Sequence, residues 1–307
     1  MSAVAATSRS SRVVGSTLAP AKLNLSLRIV GRRDDGYHLL ESLMVPISLY
    51  DRVELAVDKG PRGVTCAVDG PERVAGGPRN LASRAARSVL SACGARARVA
   101  IRLHKVVPAG AGLGGGSSDA AAVLRLLPRM LGHRFSAAEL AEMAVALGAD
   151  VPFFLSCRPA LAAGIGEILT PLPRFPAIDL VVAVPHERVE TAWAYANALP
   201  ARPSAARRGR AGADRLPLSA KTISSLFFND FERGVGDAVP AVRRLVRTLR
   251  GLGARATVMS GSGSAVAASF AGERRARDAT ATFAAPDKAF AVRVLRRRPA
   301  TRILRGL

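Results

Sequence analysis

Pro108-Ala-Gly-Ala-Gly-Leu-Gly-Gly-Gly-Ser-Ser-Asp119 joins two runs of different character. Val99-Ala-Ile-Arg-Leu-His-Lys-Val-Val107 reads as a strand, and Ala120-Ala-Ala-Val-Leu-Arg-Leu-Leu127 as a helix. The stretch is therefore a strand, a glycine-rich turn and a helix start. Glycine lacks a Cβ and accepts positive φ, so a ligand can lie close to such a backbone. Ser117, Ser118 and Asp119 are residues that cap helices well. The first turn of the following helix offers free N–H groups and the positive end of a dipole. That combination suits an anion, above all a phosphate.

The letters Gly110-x-Gly112-x-x-Gly115 satisfy the dinucleotide-binding pattern. That pattern needs an acidic residue at the end of a second strand about 20 residues on. Here the chain enters a second helix, and the first acidic residue after Asp119 is Glu139. A Walker A loop needs Gly-Lys-Ser/Thr, and no lysine lies in this loop. A flexible linker would lack the strand and helix signals that flank the stretch directly. A nucleotide-phosphate loop of a third kind fits best.

The chain has 307 residues, enough for a full core and most naturally two domains. Its composition is 49% hydrophobic with mean hydropathy near zero, and no uncharged apolar run approaches the ~20 residues of a membrane span. Cys66, Cys93 and Cys157 are scattered and form neither a disulfide framework nor a metal-ligand spacing, which fits a reducing, cytoplasmic compartment. The net charge is +22, nearly all of it arginine; Lys22, Lys59, Lys105, Lys221 and Lys288 are the only lysines. Such a balance raises nucleic-acid or acidic-membrane binding. No aromatic residues interleave the arginines as single-strand stacking requires, so an Ala/Arg compositional bias on solvated faces is the preferred account. An anionic small-molecule substrate is also compatible. Residues 1–17 resemble a transit peptide in composition, but a frayed basic tail is the simpler reading.

From residue 22 the chain alternates cleanly: Lys22, Asn24, Ser26 and Arg28 share one face of a strand, and Leu23, Leu25, Leu27 and Ile29 the other. Tyr37-His38 leaves the turn Gly31–Gly36, placed either to meet a heterocycle or to be a packed tyrosine beside a surface histidine. Asn80 caps a helix over Leu81–Cys93. Ser136-Ala-Ala-Glu139 is a capping box opening a helix to Leu147. Asp150 then stands in a tight junction between that helix and an expected strand, where a carboxylate could accept a substrate proton or bond its own backbone; the pattern leaves both open. One strand is expected over Ala160–Leu169, and a proline-rich link, Pro171–Pro176, marks a domain boundary. Beyond it come a buried strand at Ile178–Val184, a helix at Thr191–Leu199 carrying Trp193 and Tyr195, and an arginine-rich loop at 201–214. Helices near Ile223–Arg233 and Ala241–Arg250 are next, then a second glycine turn, Ser260-Gly-Ser-Gly-Ser264, between strands, and a last strand near Phe290–Leu295.

Three motifs stand in order: Pro20-Ala-Lys-Leu-Asn24, the loop Pro108–Ser118, and Met259-Ser-Gly-Ser-Gly-Ser264. With them the chain resembles the galactokinase, homoserine kinase, mevalonate kinase and phosphomevalonate kinase superfamily. Arg33-x-Asp-Gly-Tyr-His38, Leu147-Gly-Ala-Asp-Val-Pro152, Gly164-Ile-Gly-Glu167 and Phe228-Asn-Asp-Phe-Glu232 resemble its branch of 4-diphosphocytidyl-2-C-methyl-D-erythritol kinases. The resemblance implies a two-domain α+β fold: an N-terminal domain like the second domain of ribosomal protein S5 (18–170), then a ferredoxin-like domain (171–307), with the active site in the cleft between. It implies ATP and Mg²⁺, a cytidine-diphospho-methylerythritol acceptor, no nucleic-acid or membrane partner, and a monomer or weak homodimer.

By position the resemblance makes Lys22 and Asp150 catalytic. It assigns Lys105, Pro108, Ala109, Gly110, Ala111, Gly112, Leu113, Gly114, Gly115, Gly116, Ser117 and Ser118 to the nucleotide. Asn24 would orient the acceptor hydroxyl, Tyr37 and Tyr195 would sandwich the base, and His38 would meet its edge. No residue is singled out as a metal ligand. Val184-Pro-His-Glu-Arg188 departs from the family's Pro-Gly turn, with His186 where glycine is usual.

Overall fold

The computed structural model describes residues 12–197 and 219–305. The arginine-rich loop and the first eleven residues of the expected tail lie outside that range. Two long antiparallel strands organise the chain, β1 (Val13–Arg32) and β2 (His38–Lys59). β1 thus begins inside the stretch expected to be tail. With β3 (Gly63–Asp69) and β4 (Ala97–His104) they form the sheet order β1-β2-β4-β3. α1 (Leu81–Ala92), capped by Asn80 as expected, and α2 (Gly115–Met130) cover one face. There Val53, Leu55, Ile101 and Leu103 share a core with Ala85, Val89, Leu124 and Leu127. Alanines on both helices let them approach the sheet and each other closely.

α3 (Ala137–Leu147) opens with the expected capping box. Asp150 leads into a helix, α4 (Val151–Ser156), and not into the expected strand. Pro152 falls in the first turn of α4, where a missing N–H costs nothing. The strand expected over 160–169 is a hairpin, β5 (Ala160–Ala163) and β6 (Ile168–Pro171), turned at Gly164 and Gly166, both at positive φ.

The second sheet is fully antiparallel. Its order is β11 (Lys288–Arg293), β7 (Asp179–Val184), β10 (Val266–Ser269) and β9 (Ala256–Met259). Leu180 and Val182 of β7 pack toward Leu23, Leu25, Leu43 and Val45 of the first sheet. Val181 and Ala183 face the core that holds α8 (Pro240–Gly251) and α9 (Glu273–Thr280). A strand buried on both faces has no reason to alternate, which explains the unbroken apolar run from Ile178. Two sheets with their own helices are the two-part α+β architecture the sequence points to.

α5 (Thr191–Asn197) lies where a helix was expected. The single helix expected near 223–233 is instead α6 (Ala220–Ser224), a two-residue strand β8 (Phe228–Asn229) pairing in parallel with β1, and α7 (Glu232–Ala238). Nor is β11 the last strand: β12 (Thr301–Arg305) returns to pair antiparallel with the start of β1. Two segments from the second half of the chain thus cross to pair with β1 of the first sheet. Among the described residues, no helix is long and apolar enough to cross a membrane.

Candidate active site

The register of β1 against β2 slips between Pro20 and Ala21 and again between Asn24 and Ser26. Such irregularities re-aim side chains, and Lys22 and Asn24 lie between the two slips. Each is only 4% exposed, and Lys22 Nζ donates to Asn24 Oδ1 at 2.5 Å. Asn24 Nδ2 donates to Ser42 Oγ (2.6 Å), whose hydroxyl donates on to the Ser26 carbonyl (2.6 Å). The lysine therefore has little rotational freedom. Its Nζ stands 3.5 Å from Oδ2 of Asp150, whose side chain is 36% exposed. Asp150 occupies the cap position of α4 but makes no capping hydrogen bond. Of the two readings open at the sequence level, the turn aspartate bonding its own backbone is not the one observed.

The glycine loop runs beside this pair. Gly110, Gly112 and Gly114 have φ of 70°, 75° and 70°. A Cβ on Gly112 would strike the Ser260 carbonyl, and one on Gly114 would sit 3.0 Å from the Phe154 ring and 3.1 Å from Lys22 Cγ. Lys22 N–H donates to the Leu113 carbonyl (2.9 Å), fixing the loop to β1. The Ser260 hydroxyl accepts from Asn24 N–H and donates to the Gly112 carbonyl, both at 3.2 Å. Ala265 N–H donates to the Ala111 carbonyl (3.2 Å). The two glycine turns thus hold each other across the junction of the sheets.

Gly114, left-handed, takes the cap of α2. Ser117, Ser118 and Asp119, expected as caps, lie inside the helix instead. The N–H groups of its first turn have no helical partner, and Gly115 and Gly116 leave that turn without side chains. Ser118 and Asp119 are buried, and Ser118 Oγ and Asp119 Oδ1 have no hydrogen-bond partner.

Lys105, expected at the edge of a triphosphate, is 2% exposed and ion-paired with both Asp51 and Asp119, the latter at 2.7 Å. Asp51 is fully buried, and its Oδ1 accepts from the N–H groups of Val106 (2.6 Å) and Val107 (2.8 Å). Burial alone would depress the Lys105 ammonium, but the Asp119 and Asp51 carboxylates hold it above its ordinary value. Burial, and then the charge of Asp51, push the Asp119 carboxyl upward against the pull of Lys105. This triad clamps the strand that enters the loop to the helix that leaves it. Glu72 adds an outer clasp: its N–H donates to the Lys105 carbonyl, and its carboxylate pairs with Lys288 of β11.

Tyr37 is 59% exposed. His38 lies 5.2 Å from the Tyr195 ring, centroid to centroid, and Tyr195 meets Phe231 edge-on at 4.8 Å. Burial, then the nearby Asp150 carboxylate, push the Tyr195 phenol up to about 12, so it remains a neutral hydroxyl. Burial and the Arg32 charge lower His38. The imidazole is then neutral at physiological pH and carries one donor and one acceptor nitrogen. One cavity of about 1350 Å³ takes in Lys22, Asn24, Asp150, most of the glycine loop, Tyr37, His38 and Tyr195. Ala111 and Ser118 are buried behind the loop.

Some contributors carried no readable signal. The segment Val74–Leu81 forms part of the cavity wall. Asn229 Nδ2 donates to the carbonyls of Met259 (2.6 Å) and Gly261 (2.8 Å), Asp230 Oδ2 accepts from Ile29 N–H (2.7 Å), and Glu232 Oε2 accepts from Met259 N–H (2.8 Å). These three brace the second glycine turn against β1. Phe228–Glu232 stood out as a motif, but its role needed the long-range partners.

The profile described as GHMP kinases N terminal domain matches residues 80–158, and that described as GHMP kinases C terminal matches residues 214–288. The 4-diphosphocytidyl-2-C-methyl-D-erythritol kinase of Syntrophotalea carbinolica is 41% identical over 282 residues, covering 90% of this chain and 98% of that protein. The chain belongs to this kinase family. The same kinase of Anaeromyxobacter sp. (strain K) is 44% identical over 266 residues, covering 86% of this chain and 83% of that protein. A crystal structure of a 4-(cytidine 5'-diphospho)-2C-methyl-D-erythritol kinase superimposes with a TM-score of 0.73 at 37% identity, over 91% of this chain and 98% of that one. Homoserine kinase from Cytophaga hutchinsonii reaches a TM-score of 0.74 over 99% of this chain at only 18% identity, a likeness of fold alone.

Proposed function

We propose that this chain is an ATP-dependent kinase that phosphorylates the 2-hydroxyl of 4-diphosphocytidyl-2-C-methyl-D-erythritol, a step of the non-mevalonate route to isoprenoid precursors. The observation that carries the reading is the Lys22–Asp150 pair at 3.5 Å, in one cavity with a glycine loop and an aromatic group. The loop's glycines and the open N–H groups of α2 receive the triphosphate. Tyr37, His38 and Tyr195 receive the cytosine, a base with both a face to stack and an edge to hydrogen-bond. A homoserine or mevalonate acceptor has no base and no use for those rings. An intact Lys22–Asp150 pair speaks equally against a catalytically silent binder.

Phosphoryl transfer asks mostly for positioning and charge stabilisation. Asp150 accepts the proton of the acceptor hydroxyl as its oxygen bonds to the γ-phosphorus and the bond to the ADP oxygen breaks. Lys22 steadies charge on the transferred group. Asn24 holds the lysine. Mg²⁺ fits this site as an ion carried on the triphosphate: among the described residues no cluster of three or more His, Cys, Asp or Glu forms a cage, and Mg²⁺ is commonly held by one or two carboxylates plus phosphates. The unpartnered Asp119 Oδ1, on a residue that lines the cavity, is the protein oxygen that suits it. When bound, the ion neutralises charge on the phosphate oxygens. Three free cysteines suit a reducing cytoplasm.

The acceptor half is tested by Tyr37→Ala. Loss of one stacking face should raise KM for the cytidine compound roughly tenfold or more, with KM for ATP within about twofold of wild type. An equal rise for both substrates would remove Tyr37 from base recognition.

A further inference from the structure

The segment Val184–Arg188, which departs from the family's Pro-Gly turn, is not absorbed by the mechanism above. It is held at defined points. The Glu187 carbonyl accepts from Ser264 Oγ (2.7 Å), Val189 is buried, and Thr191 Oγ1 lies 3.0 Å from Ser262 Oγ. The second glycine turn therefore fixes the backbone on both sides of Arg188. The arginine's stem crosses to the first glycine loop, where its Cδ lies 3.6 Å from the place a Cβ would take on Gly110. The side chain is exposed, and among the described residues it makes no hydrogen bond or ion pair.

The charges around the loop give this position a use. Lys22 is paired with Asp150, and Lys105 with Asp51 and Asp119. Both ammonium groups are thus already held by carboxylates. A triphosphate is strongly anionic, so its binding calls for cations that no carboxylate already holds. A guanidinium is planar, permanently charged and shaped to grip phosphate oxygens in pairs. Arg188 supplies one from the turn after β7, beside Gly110 of the loop.

The geometry points to Arg188 as a further nucleotide-binding residue, which meets the phosphates of bound ATP from the second half of the chain. This rests on the kinase reading. It makes the turn after β7 part of the nucleotide site in this chain.

Calorimetric titration of the full-length protein with ATP and Mg²⁺, and separately with adenosine, tests it. Arg188→Ala should weaken ATP roughly tenfold, the scale of one charge-assisted contact, and leave adenosine unchanged. Arg188→Lys should recover part of the loss. ATP affinity unchanged in Arg188→Ala would overturn the assignment. So would an equal loss for ATP and adenosine, which would make Arg188 a prop for the loop. A wild-type protein that binds no ATP would overturn the kinase reading itself, and Arg188 with it.

Discussion

Asp150→Asn should lower kcat by roughly 100-fold or more, the contribution of a positioned general base. Affinity for ATP should stay close to wild type. The carboxylate is suited to this role because nothing else uses it: it makes no capping bond, is partly open to the cavity, and faces a lysine held in place by Asn24. The amide is nearly isosteric and still accepts from Lys22, so the variant isolates proton acceptance from packing. Single-turnover kinetics with saturating ATP make the comparison cleanly. Turnover within a few-fold of wild type would take Asp150 out of the chemistry and leave Lys22 acting on the phosphate alone.

Lys105→Met should be the most destabilising single change near the site. Lys105, Asp51 and Asp119 are 2%, 0% and 2% exposed. Removing the ammonium leaves two carboxylates together without a counter-charge, and breaking a buried pair in this way costs roughly 3–5 kcal/mol. The pH dependence has a definite sign. In the variant the Asp119 carboxyl, already raised by burial and by Asp51, loses the opposing pull of Lys105 and rises further. Protonation of Asp119 in the folded state then relieves the repulsion, so the deficit against wild type should shrink as pH falls from about 9 toward about 7, where wild-type Asp119 itself takes up a proton. Denaturant unfolding at several pH values measures it. A loss below about 1 kcal/mol at neutral pH, with no pH trend, would mean the triad is not the buried clamp described.

That triad also shows where sequence reasoning reaches its limit. Asp119 looks like a helix cap because a Ser-Ser-Asp run after glycines has the composition of one. Only the approach of β2 and the end of β4 shows that it is an internal ion partner. Asp51, Lys105 and Asp119 come from three separate stretches, and no spacing along the chain announces their meeting. Local signals were different. The alternation from Lys22 to Ile29, the Asn80 cap and the Ser136–Glu139 capping box depend on neighbours within a few residues, and each formed as read. β8 is two residues long and β12 is charged and short, so neither carries a period, and both exist only through pairing with β1. Asp150 was legible as a candidate, while its freedom from capping was not. Motif likeness supplied the link between Tyr37, His38 and Tyr195, and the cavity that joins them is a property of the folded chain.

The most direct test of the central claim is ADP release from ATP and Mg²⁺ by the purified protein, offered 4-diphosphocytidyl-2-C-methyl-D-erythritol, homoserine and mevalonate in separate reactions. Turnover with the cytidine compound alone is the expected result. Turnover with homoserine or mevalonate in its place would contradict the substrate reading, and no turnover with any of the three, in a folded protein that binds ATP, would contradict the kinase itself.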